Sequence, residues 1–404
     1  MNIEQELIQA VIAVLLLVGV GRILGMLCSR FGFPEIIGYV VTGIILGPYA
    51  IGGQMILFDE PLIKLEGLLT TFSQMAAIVI LFSAGLHFTF KDLKKVGLRA
   101  GIISGVEFLL SVSVAYYVCI LFGLDWTVAA IIATTFGATS IAISTTILEE
   151  LGKSKNKEAK LMVNIAILDD VLGLAVLSTV IALVLSNSSF DFSSIIFSTT
   201  KALVFWILLV VGAVFFLPKL LTLLGHKGTR SIMDVTVIGS AFGFASIAQL
   251  LGLSPIVGAF AAGMGFASSH ISKHVREYVE TLKYVAAPLF FAVIGAHVDL
   301  NNIWNISPLL FIVLLLIAVS TKVFGSGVPA SILLKSKKDG FKVGFGMIAR
   351  SEVAFITAGV GITSGIIDNN VYSTLTFIIL GTIFIGPILL KYSFKKNNEV
   401  SNSN

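Results

Sequence analysis

Charged residues are scarce in this chain of 404 residues: Asp, Glu, Lys and Arg make up 12% of it, against about 25% in an ordinary soluble domain. Hydrophobic residues make up 56%, and the mean hydropathy is +0.98. This composition excludes a soluble globular protein and predicts an all-α polytopic membrane protein that is embedded in the lipid bilayer.

Cysteine is also rare, since Cys28 and Cys119 are the only two, and these are too few for a disulfide framework. The first six residues, MNIEQE, are acidic and lack the positive start of a signal peptide, so we expect the first apolar run to be a retained helix. The sequence shows no catalytic triad, phosphate loop or metal-ligand cluster. We therefore expect no enzyme activity, no cofactor and no nucleic-acid partner.

Hydropathy predicts about 13 transmembrane helices, each near the 20 apolar residues that a membrane helix needs. Most of the 27 Lys and Arg residues fall in alternate loops and at the C-terminus, which puts the N-terminus outside the cell membrane and the C-terminus in the cytoplasm. The predicted spans lie near residues 6–28, 33–48, 65–88, 97–122, 126–150, 159–187, 194–224, 231–251, 254–269, 282–299, 305–334, 341–365 and 370–394.

Three segments recur later in the chain, in the same order and at a nearly constant offset. The offset spans an odd number of predicted helices, so the two halves have opposite orientations, as in secondary transporters. We expect one transporter unit over residues 1–396, with inverted repeats at about 6–187 and 231–394, a linker helix at about 194–224, and a short cytoplasmic tail at 397–404. The matches are Gly85-x-His87 with Gly295-x-His297, Ala138-Thr139-Ser140 with Ala349-Arg350-Ser351, and Gly38-x4-Gly43 with Gly258-x4-Gly263.

Two of the predicted spans carry residues that interrupt a helix. The fifth contains TTFGATS, ending at Ser140, and the twelfth contains Gly344-Phe345-Gly346 shortly before Arg350. Interrupted helices offer free carbonyl groups to a cation and helix ends to charged groups. In transporters built from inverted repeats, the substrate site lies near the midplane where such helices meet.

Asp169 and Asp170 lie side by side in an otherwise apolar span. A carboxylate at bilayer depth costs roughly 2.5–3.5 kcal/mol on insertion scales, and a neighbouring carboxylate adds repulsion. Such a pair is typical of a site that binds a cation, a proton, or each in turn. We interpret Asp170 as the exchanging carboxylate with Asp169 beside it; the alternative, that both cap a broken helix, is disfavoured by the apolar flanks.

Lys322 lies in the middle of its span, too deep for its side chain to reach water, and therefore requires a carboxylate partner. We predict Asp169 as that partner, although the pair could serve only to hold two helices together. Thr139 and Ser140 could supply hydroxyl or carbonyl oxygens to the ion, or could be ordinary helix contacts.

Arg350 and Glu352 belong to the interruption of the twelfth span. They could neutralise the dipoles of the broken helix, or pair with Glu107, a buried acid of the fourth span. For these three charge-compensating residues a structural role is the favoured interpretation.

Taken together, these residues resemble the monovalent cation:proton antiporter-2 family over essentially the whole chain. The family's motifs occur here in order: ATSIA at Ala138, then Asp169-Asp170, then Thr321-Lys322, and finally ARSEVAF at Ala349. The opening FPEIIGY at Phe33 fits as well. The resemblance implies the sodium/proton antiporter fold: a core domain with two crossed discontinuous helices, a dimerisation domain that makes a homodimer, and elevator-like alternating access. It also implies that Asp170 is the main ion-binding residue, that Asp169 pairs with Lys322, and that Thr139 and Ser140 coordinate the ion.

One departure from the family bears on the transported ion. Potassium-efflux members carry Gln-Asp where this chain carries Asp169-Asp170, and they add a nucleotide-binding domain, whereas no GxGxxG segment follows the last span here. We therefore expect an electrogenic antiporter that exchanges Na⁺ or Li⁺ for H⁺. A K⁺/H⁺ antiporter and a sodium-coupled solute symporter of related fold are the alternatives. A channel or a membrane sensor is disfavoured, because a pore should not bury Lys322 opposite its cation site.

Overall fold

A computed structural model describes residues 3–87, 97–140, 143–144, 147–148, 151–153, 156–185, 192–225, 230–251, 253–267, 272–299, 308–350 and 352–395. These residues are almost entirely helical, apart from a short antiparallel hairpin of β1 (Ile56–Leu57) and β2 (Glu60–Pro61). The helices are α1 (Ile3–Arg30), α2 (Glu35–Leu46), α3 (Ile51–Gln54), α4 (Gly67–Leu86), α5 (Gly97–Leu121), α6 (Trp126–Gly137), α7 (Lys157–Leu185), α8 (Phe192–Gly225), α9 (Arg230–Leu250), α10 (Pro255–Ala267), α11 (Ser272–Ala296), α12 (Pro308–Leu334), α13 (Lys337–Gly346), α14 (Glu352–Thr363) and α15 (Asn369–Lys395).

The predicted all-α membrane class is confirmed, because every predicted span coincides with a helix or a pair of helices. Within the described residues, eight helices are long and apolar enough to cross a membrane, and shorter apolar helices include α6 and α10. The number of crossings, about thirteen, therefore stays a prediction. The largest difference is at α11, which begins at Ser272 rather than near residue 282, because its first turns are polar and hydropathy does not detect them.

The chain divides into two compact units, and each unit takes helices from both halves of the sequence. The first unit comprises Met1–Lys95 and Ile181–Leu300, and the second comprises Val96–Val180 and Asn301–Asn404. The boundaries of the units therefore cut across the predicted repeats instead of separating them. The repeat boundaries themselves stay a prediction.

Glycine pairs bring helices of the first unit close together. α4 packs on α10 where Gly85 faces Gly263, and a Cβ atom on Gly263 would lie 2.9 Å from the Cα of Gly85. α2 packs on α11 in the same way, since a Cβ on Gly295 would lie 3.1 Å from the Cα of Gly43. Close approach at small residues is a main source of helix association in membranes, where lipid tails remove the hydrophobic driving force. The four glycines belong to two of the matched pairs of sequence segments.

The second unit contains the two interrupted helices. α6 ends at Gly137, and the chain continues in an extended conformation at Ala138 before helical turns resume at residues 143–144 and 147–148. The other helix is broken between α13 and α14. The two interruptions touch each other, because the backbone N–H of Ser140 donates a 2.7 Å hydrogen bond to the carbonyl of Ala349. The predicted contact between two discontinuous helices is therefore confirmed.

The glycine contacts of the first unit predict a position-specific loss of stability. Gly263→Ala should destabilise the protein by roughly 1–3 kcal/mol, because the added methyl group overlaps with the backbone of α4. Gly239→Ala in α9 is the matched control, since no atom lies within 4 Å of a Cβ added there. Thermal unfolding of the purified protein in detergent measures both. Equal melting temperatures for the two variants would contradict the close packing of α4 on α10.

Candidate functional site

Asp169 lies in the middle of α7 and is fully buried, with 0% of its surface exposed. Its Oδ1 accepts a 2.7 Å hydrogen bond from the hydroxyl of Ser104 on α5. Its Oδ2 accepts a 3.0 Å hydrogen bond from the hydroxyl of Thr139, in the interruption after α6, and lies 3.3 Å from the ammonium nitrogen of Lys322 on α12. The buried carboxylate of Asp169 therefore connects α5, α12 and the break after α6. Two of its contacts, Thr139 and Lys322, are residues that the sequence assigned to the site.

Lys322 has a second carboxylate partner that lies closer than Asp169. Its Nζ is 2.6 Å from Oε1 of Glu107 on α5, and it also donates to the carbonyl of Gly137 at the end of α6. Both charged side chains of this pair are fully buried. An ammonium group has three hydrogens to donate, so these three oxygens satisfy it. Pairing with Glu107 was one of two alternatives for Arg350 and Glu352, beside neutralising the dipoles of the broken helix. The structure pairs Glu107 with Lys322 instead.

Arg350 is fully buried and binds backbone carbonyl groups instead of a carboxylate. Its Nη1 donates to the carbonyls of Ala318 and Ile348, at 3.1 and 3.3 Å, and its Nη2 donates to the carbonyl of Phe136 at 3.1 Å. The guanidinium also lies 4.9 Å from the centre of the Phe136 ring. Within the described residues, Arg350 and Glu107 form no ion pair. Arg350 instead lies at the broken helix end, which was the other of its two expected positions.

Lys322 and Arg350 meet at the C-terminal end of α6. Arg350 binds the carbonyl of Phe136 and Lys322 binds that of Gly137, which are the last two residues of the helix. The final carbonyls of a helix have no partner within the helix and carry the negative end of its dipole. The break of α6 therefore creates free acceptors for cations that would otherwise be costly at this depth.

The hydroxyl of Ser140 serves the break itself. It accepts a 3.3 Å hydrogen bond from the backbone N–H of Ile143, as a residue at the start of a helical turn does, while the Ser140 carbonyl accepts from the hydroxyl of Ser144 at 3.2 Å. Asp170 follows Asp169 in α7, and Glu352 is the first residue of α14, where an acidic residue suits the positive end of the helix dipole. The side chains of these two residues lie outside the described part of the structure.

Two serines of α5 belong to the site and were missed in the sequence. Ser104 donates to Asp169, and Ser111 donates to Oε1 of Glu107 at 2.9 Å. Together with Glu107 they recur at spacings of three and four residues, so they share one face of α5. A polar stripe of this spacing in an apolar helix was the signal that could have identified them.

The two carboxylates around Lys322 predict an ordered set of stabilities. Lys322→Gln should destabilise the empty protein by about 3–5 kcal/mol, because it leaves buried carboxylates without their cation. Adding Glu107→Gln should recover more of that loss than adding Asp169→Asn, since Glu107 is the nearer partner. Melting temperatures in sodium-free buffer measure each combination. Strictly additive losses would show that the charges do not interact.

A family model described as the transmembrane sodium/hydrogen exchanger matches residues 12–396. Among curated proteins, the Na(+)/H(+)-K(+) antiporter GerN of Bacillus cereus is 30% identical over 376 residues, which are 92% of this chain and 93% of GerN. The Na(+)/H(+) antiporter of Enterococcus hirae is 30% identical over 389 residues, which are 95% of this chain and 98% of that protein.

The fold has a counterpart among solved structures. The sodium proton antiporter MjNhaP1 of Methanocaldococcus jannaschii superimposes with a TM-score of 0.74 and covers 96% of this chain and 99% of its own. The sequence identity of 16% is low, so this likeness concerns the fold, and it confirms the predicted antiporter fold. Given the family match along nearly the whole chain and the two relatives at 30% identity, the chain belongs to the sodium/hydrogen exchanger family.

Proposed function

We propose that this protein is a secondary active antiporter that exchanges Na⁺ or Li⁺ for H⁺ by alternating access. The observation that carries the proposal is the position of Asp169, which is fully buried, is bound to the break after α6 through Thr139, and is followed directly by a second aspartate. The names of the two relatives at 30% identity, both antiporters of Na⁺ and H⁺, support it.

In the proposed site, Na⁺ binds at Asp170 with Asp169, Thr139 and Ser140. Carboxylate, hydroxyl and carbonyl oxygens are the ligands that hard cations prefer. A carboxylate that holds a proton cannot offer the same oxygen to a cation, so the two substrates compete for the site. That competition converts alternating access into exchange, because the site returns across the membrane with either the cation or the proton.

Potassium is the competing substrate that a specific observation favours. The printed name of the Bacillus cereus relative includes K⁺ beside Na⁺ and H⁺, and oxygen ligands alone do not distinguish the two cations. Everted membrane vesicles containing a pH-sensitive dye separate the possibilities. Proton movement on addition of Na⁺ or Li⁺ alone supports the main proposal, movement on addition of K⁺ alone supports a K⁺/H⁺ antiporter, and a requirement for an organic solute together with Na⁺ indicates a symporter.

We further propose that the protein works as a homodimer in the cell membrane, with the N-terminus outside and the C-terminus in the cytoplasm. The family resemblance supports the dimer, and the distribution of Lys and Arg between alternate loops supports the orientation. Light scattering of the detergent-solubilised protein should give twice the mass of one chain.

Asp170 is expected to be indispensable for exchange. Asp170→Asn removes both the ion ligand and the exchangeable proton, so sodium-dependent proton flux in vesicles should disappear while the melting profile shows a folded protein. Asp59→Asn is the matched control, because Asp59 lies exposed in the hairpin turn at φ 64°, a conformation that Asn adopts readily, and its flux should equal that of the unmodified protein. Robust flux from folded Asp170→Asn protein would sink the assignment.

Transport is expected to be electrogenic, because Asp169, which pairs with Lys322, is followed directly by Asp170, so that one Na⁺ can displace more than one proton from the site. If one Na⁺ displaces two protons, each cycle moves one net charge, on which a membrane potential of 100 mV acts with about 2.3 kcal/mol. Proteoliposomes with a potential set by K⁺ and valinomycin measure sodium-driven proton flux at fixed gradients. A flux that does not respond to the potential would indicate one-for-one exchange.

A further inference from the structure

Glu107 is a charged residue of the site that has no role in the exchange cycle proposed above. It lies on α5, is fully buried, and contacts the ammonium of Lys322 at 2.6 Å, while Asp169 contacts the same ammonium at 3.3 Å. Ser111, one turn later on α5, donates to the same Glu107 oxygen and fixes the orientation of the carboxylate. Glu107 therefore holds Lys322 from α5, whereas Asp169 holds it from α7.

The two carboxylates differ in what else they bind. Asp169 has hydrogen bonds from Ser104 and Thr139 and lies directly before Asp170. The second oxygen of Glu107, Oε2, is buried and has no hydrogen-bond partner among the described residues. Oε2 of Glu107 can therefore also accept a hydrogen bond from the Lys322 ammonium when Asp169 binds another cation.

A sodium ion that binds to Asp169 must compete with the ammonium of Lys322, because both cations need the same carboxylate. If Asp169 were the only partner of Lys322, binding of sodium would leave a buried ammonium without a carboxylate, which is strongly unfavourable. With Glu107 present, Lys322 keeps a carboxylate partner while Asp169 is engaged with the ion.

We propose that Glu107 is a positioning residue that keeps Lys322 bound when sodium binds Asp169 and thereby makes Asp169 available to the ion. This inference rests on the proposed function, since it assumes that sodium binds at Asp169 and Asp170. Through Lys322, Glu107 then controls the apparent affinity for sodium. It has little effect on the maximal exchange rate.

The first test is the kinetic effect of Glu107→Gln in proteoliposomes. The sodium concentration for half-maximal exchange should rise about ten-fold, as expected for removal of one strongly coupled charge, while the maximal rate changes much less. Glu107→Asp, which keeps the charge on a shorter side chain, should give an intermediate increase. Glu277→Gln on α11, an exposed glutamate of the first unit, is the matched control and should leave both parameters unchanged.

The second test separates an effect through Lys322 from a direct effect of the Glu107 charge on sodium. Stabilisation of the purified protein against heat by added NaCl reports apparent sodium affinity without transport. Glu107→Gln should weaken this stabilisation in the natural background and have no further effect in a Lys322→Gln background. The same loss of affinity in both backgrounds would overturn the positioning role and indicate a direct electrostatic effect.

The outcomes also distinguish this inference from the proposed function. If the unmodified protein exchanges sodium for protons and neither Glu107→Gln nor Glu107→Asp changes the half-maximal sodium concentration, the inference is wrong and the function stands. If the unmodified protein shows no sodium-dependent proton flux, the proposed function itself fails. If Glu107→Gln does not fold, Glu107→Asp decides, because an unchanged half-maximal concentration in that variant contradicts the proposal.

Discussion

A buried cation must be surrounded by negative charge or hydrogen-bond acceptors, and in the second unit this constraint organises the site around Lys322. Its ammonium binds Glu107 from α5, Asp169 from α7 and the last carbonyl of α6. Three segments of the chain thus converge on one nitrogen. Removing any one of these three partners would leave the Lys322 ammonium with an unsatisfied hydrogen at a depth where water does not replace the lost partner.

The interruption of α6 follows from the same constraint. An unbroken helix would have used the carbonyls of Phe136 and Gly137 internally, whereas the break frees them for Arg350 and Lys322. The second broken helix supports the first, since Ala349 accepts the backbone hydrogen bond of Ser140. In a membrane protein, backbone N–H and C=O groups are normally hydrogen-bonded within helices. At these two breaks they are hydrogen-bonded instead by side chains and by the backbone of the other break.

The sequence predicted the helices and the existence of the site better than it predicted the pairing within the site. The helices were predicted because apolar length is a local property, and the contact between Asp169 and Lys322 was predicted because each needed an opposite charge. The pairing of Glu107 with Lys322 was not predicted, because neighbours across helices depend on how α5 and α12 pack, which hydropathy does not contain. The start of α11 was misplaced for a different reason, since its polar first turns carry no hydropathy signal. Each of the two units likewise combines segments that are not consecutive in the chain.

The central claim is that a cation and protons compete for the carboxylates of this site. Calorimetric titration of Na⁺ into the purified protein, repeated at one pH in buffers with different ionisation enthalpies, gives the number of protons released for each ion bound. The account predicts an observed enthalpy that varies linearly with the ionisation enthalpy of the buffer, with a slope that corresponds to release of protons. The same enthalpy in every buffer would mean that sodium binds without displacing protons, and would contradict the account.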